Sequence, residues 1–448
     1  MEIINKYLCG TVVPIVLFLY SIFFFIKLRG KPMLNPMVIV KAIFKKKKGS
    51  GASSVRAVIF ALAGTLGVGN IVGVASAIAL GGAGAVFWMW VSAFFAMILK
   101  YSEVVLAVLH RRSRNGENYG GAMYYMLDYF SLHKRTFIGM IYSFAFTALC
   151  LVNGFTMGSI IQSNAIAESF NASLNINPIL IGAILAVLLA VVFLFNGKKV
   201  FLLCERLVPF VSMLYLFMSL VVIIKSHEKL PSVIGEILAG AFSANSICAG
   251  GIGFLISNAL RYGTIRGLFS NEAGCGTSPI AHATSNTDSP CEQGFLGIIE
   301  VFIDTVIVCT LTAFVILVNK ETAFNFFDNP MLMVYSAFNT SLGNISGVLL
   351  SISVLLFAFA TIVCWGYYGK ECIYFVCKNN SKEKCYYLVY IFTVFVGSYI
   401  SLDMIWQIAD FAVGSMSLLN LFILGKMSGE IKKETLLYIN KRASPGKL

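Results

Sequence analysis

The chain has 448 residues, of which 58% are hydrophobic and 12% charged, with a mean hydropathy of +0.82. Soluble proteins carry roughly 25% charged residues, so water is excluded as the solvent for most of this surface, and a lipid core takes its place. The net charge of +13 does not mark a nucleic-acid binder, because the Lys and Arg sit in short loops between apolar runs and form no basic domain.

A helix crosses hydrocarbon with about 20 apolar residues. On that rule the sequence predicts an all-α polytopic membrane protein of about eleven spans, at roughly 10–27, 57–80, 85–109, 137–165, 178–196, 207–225, 247–269, 294–319, 347–369, 386–402 and 406–425. The first run reads as a retained helix. Lys27, Arg29 and Lys31 follow it, and no small-x-small cleavage site does. With eleven spans the termini lie on opposite sides. Placing 27–56, 110–135, 198–206, 261–292, 370–384 and 426–448 in the cytoplasm puts 29 of the 34 Lys and Arg there. That orientation, with the N-terminus outside and the C-terminus cytoplasmic, obeys the positive-inside rule. The run Lys45–Lys48 reads as a topology anchor on an anionic leaflet.

The second span carries Gly64, Gly67, Gly69, Asn70 and Gly73 in an otherwise apolar run. Glycine costs about 1 kcal/mol against Ala inside a helix, and it permits backbone shapes that free amides and carbonyls. Such backbone is tolerable at membrane depth only inside protein or beside a cavity. Tight helix packing through Gly69-x-x-x-Gly73 explains the glycines equally well at this point. In the third span Lys100 and Glu103 stand three apart and can pair on one helix face.

The seventh span ends in Arg261-Tyr-Gly-Thr-Ile-Arg-Gly-Leu-Phe-Ser-Asn-Glu-Ala-Gly-Cys-Gly-Thr-Ser-Pro279, again rich in glycine, and can re-enter the membrane through 270–285. Two interruptions five spans apart predict an inverted-repeat transporter. Spans 2–6 (residues 54–226) and 7–11 (245–426) form the repeats, broken at helices 2 and 7. Residues 1–30 form an extra first helix and 427–448 a cytoplasmic tail, all in one transmembrane domain, 1–448. In the eighth span Glu300 and Asp304 join Glu272 as membrane acids. Pairing with Arg261 or Arg266 would make them an inner gate. Asp410 has no obvious partner. The loop at 320–346 has no core of its own. Eleven scattered cysteines without C-x-x-C and four dispersed histidines predict neither disulfides nor a metal centre. No H-E-x-x-H, G-x-S-x-G or Walker A motif occurs, so no enzyme or nucleotide-driven pump is predicted.

Gly64-Thr-Leu-Gly-Val-Gly-Asn-Ile71, Ala79-Leu-Gly-Gly-Ala-Gly-Ala-Val-Phe-Trp-Met-Trp90, Ser270-Asn-Glu-Ala-Gly-Cys-Gly-Thr-Ser-Pro-Ile-Ala281, Phe302–Thr310 and Trp365-Gly-Tyr-Tyr-Gly369 resemble, in order, the motifs of the alanine or glycine:cation symporters. The resemblance implies a leucine-transporter-type fold in the cell membrane. It also implies alternating access that couples alanine or glycine to sodium, with no cofactor. It marks Gln162, Thr361, Trp365 and Phe269 as substrate contacts. Val68, Ala83 and Cys275-Gly276-Thr277 depart from its usual residues.

On that reading the amides of Gly67, Gly69 and Asn70 hold the substrate carboxylate. Gln162 Oε1 and carbonyls of the second break take its ammonium, and Trp365 and Phe269 wall its methyl. Fold analogy places sodium on carbonyls near Thr65 and Leu66 and on the Thr361 hydroxyl. Lys100, Glu103, Glu272 and Asp304 are expected as gate or structural charges. A proton is the alternative coupling ion, with Glu103 or Asp304 as its carrier. A channel is the remaining alternative. A monomer is expected.

Overall fold

A computed structural model describes residues 1–33, 53–194, 198–242, 258–378 and 381–443. In chain order, α1 (Ile3–Lys27) is followed by α2 (Ser54–Thr65), a 3-10 turn Val68–Asn70, and α3 (Val72–Gly81). After α4 (Gly84–Leu109), a hairpin of β1 (Arg112–Arg114) and β2 (Glu117–Tyr119) leads to α5 (Ala122–Leu132). Then come α6 (Thr136–Leu174), α7 (Pro178–Leu194), α8 (Lys198–Lys225), α9 (Leu230–Ala241), α10 (Asn258–Asn271) and α11 (Ser278–His282). The chain closes with α12 (Pro290–Val318), α13 (Pro330–Leu342), α14 (Ile345–Cys377), α15 (Ser381–Gly397), α16 (Asp403–Lys426) and α17 (Ser428–Ala443).

Helix starts follow local chemistry. The Ser53 hydroxyl accepts the Arg56 amide at 3.1 Å to cap α2, and Ser289 and Asn329 cap α12 and α13, each with proline in the first turn. Both residue types satisfy N–H groups that a helix leaves unpaired. The hairpin turns through Asn115 and Gly116, both at positive φ (52° and 78°), as a tight two-residue turn demands.

Among the described residues, seven helices are long and apolar enough to cross a membrane, and the bent pair α2–α3 makes eight. The expected seventh span begins outside the described residues, at 247, and is described from Asn258. Cys248 and the Lys45–Lys48 run also lie outside them. Along α8, Phe210, Met213, Phe217, Leu220 and Ile224 are all exposed. That spacing paints one apolar stripe down a helix, which only lipid covers at no cost.

The interior is organised around α4, which lies between α10 and α12, with α1 on its outer side. Its Lys100 and Glu103 are fully buried. Residues 320–346, which lack a core of their own, fold as α13 and bury Met331, Met333, Val334, Ala337 and Phe338 against α3 and α14.

Two helix breaks and the pocket between them

The first break starts at Leu66, where ψ turns to 82°, and Gly67 is fully extended at φ −133°, ψ −151°. The two helices on either side meet at 65°. The freed backbone is caught by side chains. Val68 N–H donates to Gln162 Oε1 at 3.1 Å, and Gly67 N–H donates to Asn70 Oδ1 at 3.1 Å and to the Thr65 carbonyl at 2.9 Å. A Cβ at Gly67 would stand 2.7 Å from Thr361 Oγ1 and 2.9 Å from Gln162 Oε1. Only glycine lets this strand of backbone approach so closely. The Thr361 hydroxyl lies 3.3 Å from the Leu66 carbonyl and 3.1 Å from the Phe357 carbonyl.

So four expected site residues, Leu66, Gly67, Gln162 and Thr361, meet in one place. Thr65 is adjacent, its carbonyl engaged by Gly67 and its hydroxyl 3.4 Å from the Ala61 carbonyl. Of the three amides expected to face a carboxylate, those of Gly67 and Asn70 are already used. The Asn70 amide donates to the Gly67 carbonyl at 3.3 Å. The Gly69 amide has no backbone partner among the described residues.

The second break follows Asn271. Glu272, Gly274 and Gly276 all have left-handed backbone, at φ 52°, 81° and 82°, a region that favours glycine and strains glutamate. Asn271 caps the end of α10 from both sides. Its Nδ2 donates to the Gly267 carbonyl at 2.7 Å, and its Oδ1 accepts the Ala273 amide at 3.0 Å.

Asn70 bridges the breaks. Its Nδ2 donates to Ser270 Oγ at 2.9 Å and to Asp304 Oδ1 at 2.8 Å. Asp304 Oδ2 accepts the hydroxyls of Ser270 at 2.5 Å and Thr305 at 2.8 Å. Asp304 sits in a π-helical stretch, Phe302–Cys309, and a second one, Thr156–Ile160, immediately precedes Gln162. Such stretches widen a helix and re-aim its side chains, often at functional sites.

A small, partly open pocket is lined by Gly69, Gly73, Met157, Ile161, Gln162, Arg266, Phe269 and Trp406. Phe269, Gly69 and Gln162 are thus where the sequence reading expected a substrate. Trp365 is not in this lining. It is buried with its ring over Gly158, where a Cβ would stand 2.5 Å away, and its Nε1–H has no partner among the described residues. Met157, Ile161 and Trp406 are not among the expected site residues, although Met157 and Ile161 lie one turn and one residue before Gln162, and Arg266 is expected only as a gate partner.

The pairing of membrane acids with Arg261 or Arg266 is corrected by the structure. Lys100 reaches Glu300 at 3.3 Å and Glu103 at 3.9 Å, and Glu272 accepts the Thr277 hydroxyl at 2.5 Å. Arg266 lies instead over the rings of Trp406 (4.7 Å) and Phe269 (5.6 Å). Lys100 and Glu300 come from α4 and α12, 200 positions apart, which no spacing rule reaches.

The model of the sodium:alanine symporter family matches residues 1–447. The chain belongs to that family. It is 32% identical to the sodium/alanine symporter AgcS of Methanococcus maripaludis, over 99% of this chain and 98% of the relative. It is 33% identical to the amino-acid carrier protein AlsT of Bacillus subtilis, over 98% and 91%. Among solved structures it shares its fold with a mutant manganese transporter of Eremococcus coleocola, with a TM-score of 0.52 and 13% identity over 85% of this chain and 78% of that one. Members of this family are multi-pass cell-membrane proteins that symport amino acids with a cation, so the chain is a transporter and not an enzyme.

Proposed function

We propose that the protein symports a small neutral amino acid, alanine or glycine, with sodium by alternating access around the two breaks. The observation that carries this reading is the convergence on Gly67. The Thr361 hydroxyl and the Gln162 carboxamide both stand within 3 Å of where its Cβ would be.

In this reading the substrate occupies the pocket with its carboxylate toward the Gly69 amide and the N-terminus of α3, where the helix dipole favours negative charge. Gly67 and Asn70 shape that end by fixing the break, since their own amides are engaged. The ammonium faces the free lone pair of Gln162 Oε1. Phe269 and Trp406 close an apolar wall suited to hydrogen or methyl, and Met157 and Ile161 leave little room for more. Trp365 acts from behind, holding Gly158 and so the turn that aims Gln162.

Sodium, a hard cation, takes hard oxygen ligands. The carbonyls of Thr65 and Leu66 and the Thr361 hydroxyl form that set, with the Leu66 and Thr361 oxygens already 3.3 Å apart. Spans 2–6 and 7–11 form opposed repeats, so each break occupies the matching helix of its half. Residues 1–30 are an added helix and 427–448 a tail, within a single domain that works as a monomer. The N-terminus is outside and the C-terminus cytoplasmic.

The test is equilibrium binding of radiolabelled alanine to detergent-purified protein, titrated with sodium. Glycine is expected to displace alanine, and glutamine, whose longer side chain would run into Met157 and Ile161, is not. Displacement by glutamine as strong as by glycine would remove the size argument.

A further inference from the structure

Beneath the second break, α4, α10, α11 and α12 enclose six ionisable side chains, Lys100, Glu103, Glu272, His282, Glu300 and Asp304, none more than 2% exposed. Their hydrogen bonds fix the charges. Gln293 Nε2 lies 2.8 Å from His282 Nδ1 and 3.3 Å from the Ser54 carbonyl. An amide nitrogen only donates, and the Ser54 carbonyl needs a donor, so Nδ1 accepts. His282 is therefore neutral and donates from Nε2 to Glu300 Oε2 at 2.8 Å. Among the described residues, Lys100 is left as the cluster's one cation, facing four carboxyl groups.

The four carboxyls are served unequally. Glu300 receives Lys100 at 3.3 Å, Ser278 at 3.1 Å and His282 at 2.8 Å. Asp304 receives Asn70, Ser270 and Thr305. Glu103 Oε2 receives the Gly276 amide at 3.2 Å and Asn420 at 3.0 Å, while its Oε1 has only Lys100, at 3.9 Å. Among the described residues, Glu272 receives the Thr277 hydroxyl alone, on Oε2, and its Oε1 is buried without a hydrogen-bond partner. From α14 it faces Cys364 and Tyr368, and from its own loop Cys275, all of them uncharged thiol or phenol groups.

Four buried carboxylates with one ammonium would leave uncompensated charge away from water, which proteins avoid by taking up a proton. The acid with the fewest donors takes it. We propose that Glu272 is a proton-binding site and that its proton is carried through the membrane with the amino acid. This rests on the symport reading above and adds a second cargo ion to it.

The geometry accommodates both states. Ionised, Glu272 accepts from Thr277; protonated, its Oε2–H donates to the same hydroxyl, and 2.5 Å suits either. Glu272 also stands at φ 52° on the hinge between α10 and α11, so any rearrangement of the break moves this carboxyl relative to Lys100 and Glu300. The proton enters with Glu272 in contact with one aqueous phase and leaves to the other, and no other bond changes. Glu103 and Asp304, the carriers the sequence suggested, are each better supplied with donors.

The experiment uses full-length protein in proteoliposomes loaded with a pH-reporting dye, with the membrane potential clamped by potassium and valinomycin. Radiolabelled alanine uptake down a sodium gradient is read in the same vesicles. Wild type is expected to acidify the lumen when alanine is added, and Glu272→Gln to keep sodium-driven uptake while losing the acidification. Uptake by wild type should also fall as external pH rises, and that of Glu272→Gln should not. Wild-type uptake without acidification overturns the proton and leaves the symport reading standing. Equal acidification by Glu272→Gln overturns the assignment to Glu272. Should that variant not fold, the wild-type arm still decides whether a proton moves, and Thr277→Val, expected to shift the pH profile of uptake, reads the site. An unshifted profile in Thr277→Val overturns the assignment to Glu272. No uptake in any condition overturns both readings together.

Discussion

The Asn70 side-chain amide donates to Asp304 Oδ1 at 2.8 Å across 234 positions of sequence, while its oxygen accepts the Gly67 amide at the first break. One carboxamide thus ties the unwound backbone of α2–α3 to α12 and, through Ser270, to the end of α10. Movement at either break is felt at the other through this residue. Replacing Asn70 with Ala leaves Asp304 short of a donor and the Gly67 amide with the Thr65 carbonyl alone. Leaving buried groups unpaired costs about 1–3 kcal/mol, so uptake by Asn70→Ala is expected to fall by roughly tenfold or more. Vesicle uptake at matched protein density checks this.

Gly67→Ala puts a methyl where the Thr361 hydroxyl and Gln162 carboxamide converge. Neither partner is a flexible chain end with free space behind it, since both are hydrogen-bonded. Gly67→Ala is expected to elute as a folded protein and to lose alanine binding. Normal binding would show that the convergence is not part of the site.

Thr361→Ala and Thr361→Ser separate the hydroxyl from the methyl. Ser keeps the oxygen that faces Leu66, and Ala removes it. A higher sodium concentration for half-maximal uptake is expected in Thr361→Ala, with near-normal values in Thr361→Ser. The same sodium dependence in all three proteins would remove Thr361 from the cation site.

His110, just past the end of α4, is a latch between α5 and α17. Its Nδ1 lies 2.9 Å from Asp128 of α5 and its Nε2 3.2 Å from Glu430 of α17. Burial lowers the imidazole's pKa, but the two carboxylates outweigh it and push it from the usual 6.5 up to about 9. A folded pKa raised above the unfolded value gives stability that is fully present below pH 6.5 and lost as pH rises through about 9. Thermal unfolding of wild type is therefore expected to weaken between those limits more than that of His110→Ala. Parallel curves would contradict the latch.

Much of this fold was legible because glycine patterns mark where a membrane helix must stop. Gly67 and Gly69, and Gly274 and Gly276, stand at the two breaks for the reasons the sequence offered. Gln162 and Phe269 reach the pocket, and the family resemblance named both. The rest depends on pairings between distant elements. Lys100 with Glu300, Asn70 with Asp304, and Trp365 behind Gly158 follow from how α4, α12 and α14 pack, and helical spacing carries no information about a partner two hundred residues away. The π-helical stretches at Thr156–Ile160 and Phe302–Cys309 shift side-chain phase, and the second has no glycine or proline to announce it. The Asn115-Gly116 hairpin did carry a local signal, a pair suited to positive φ, and it was overlooked between two spans.

The central claim is that sodium drives a small amino acid through the site where Gly67, Gln162 and Thr361 meet. Its most direct test is radiolabelled alanine uptake into proteoliposomes with an inward sodium gradient, set against choline. The account predicts concentrative uptake that requires sodium, is competed by glycine, and is lost in Gly67→Ala. Uptake of equal rate and extent in choline would contradict it.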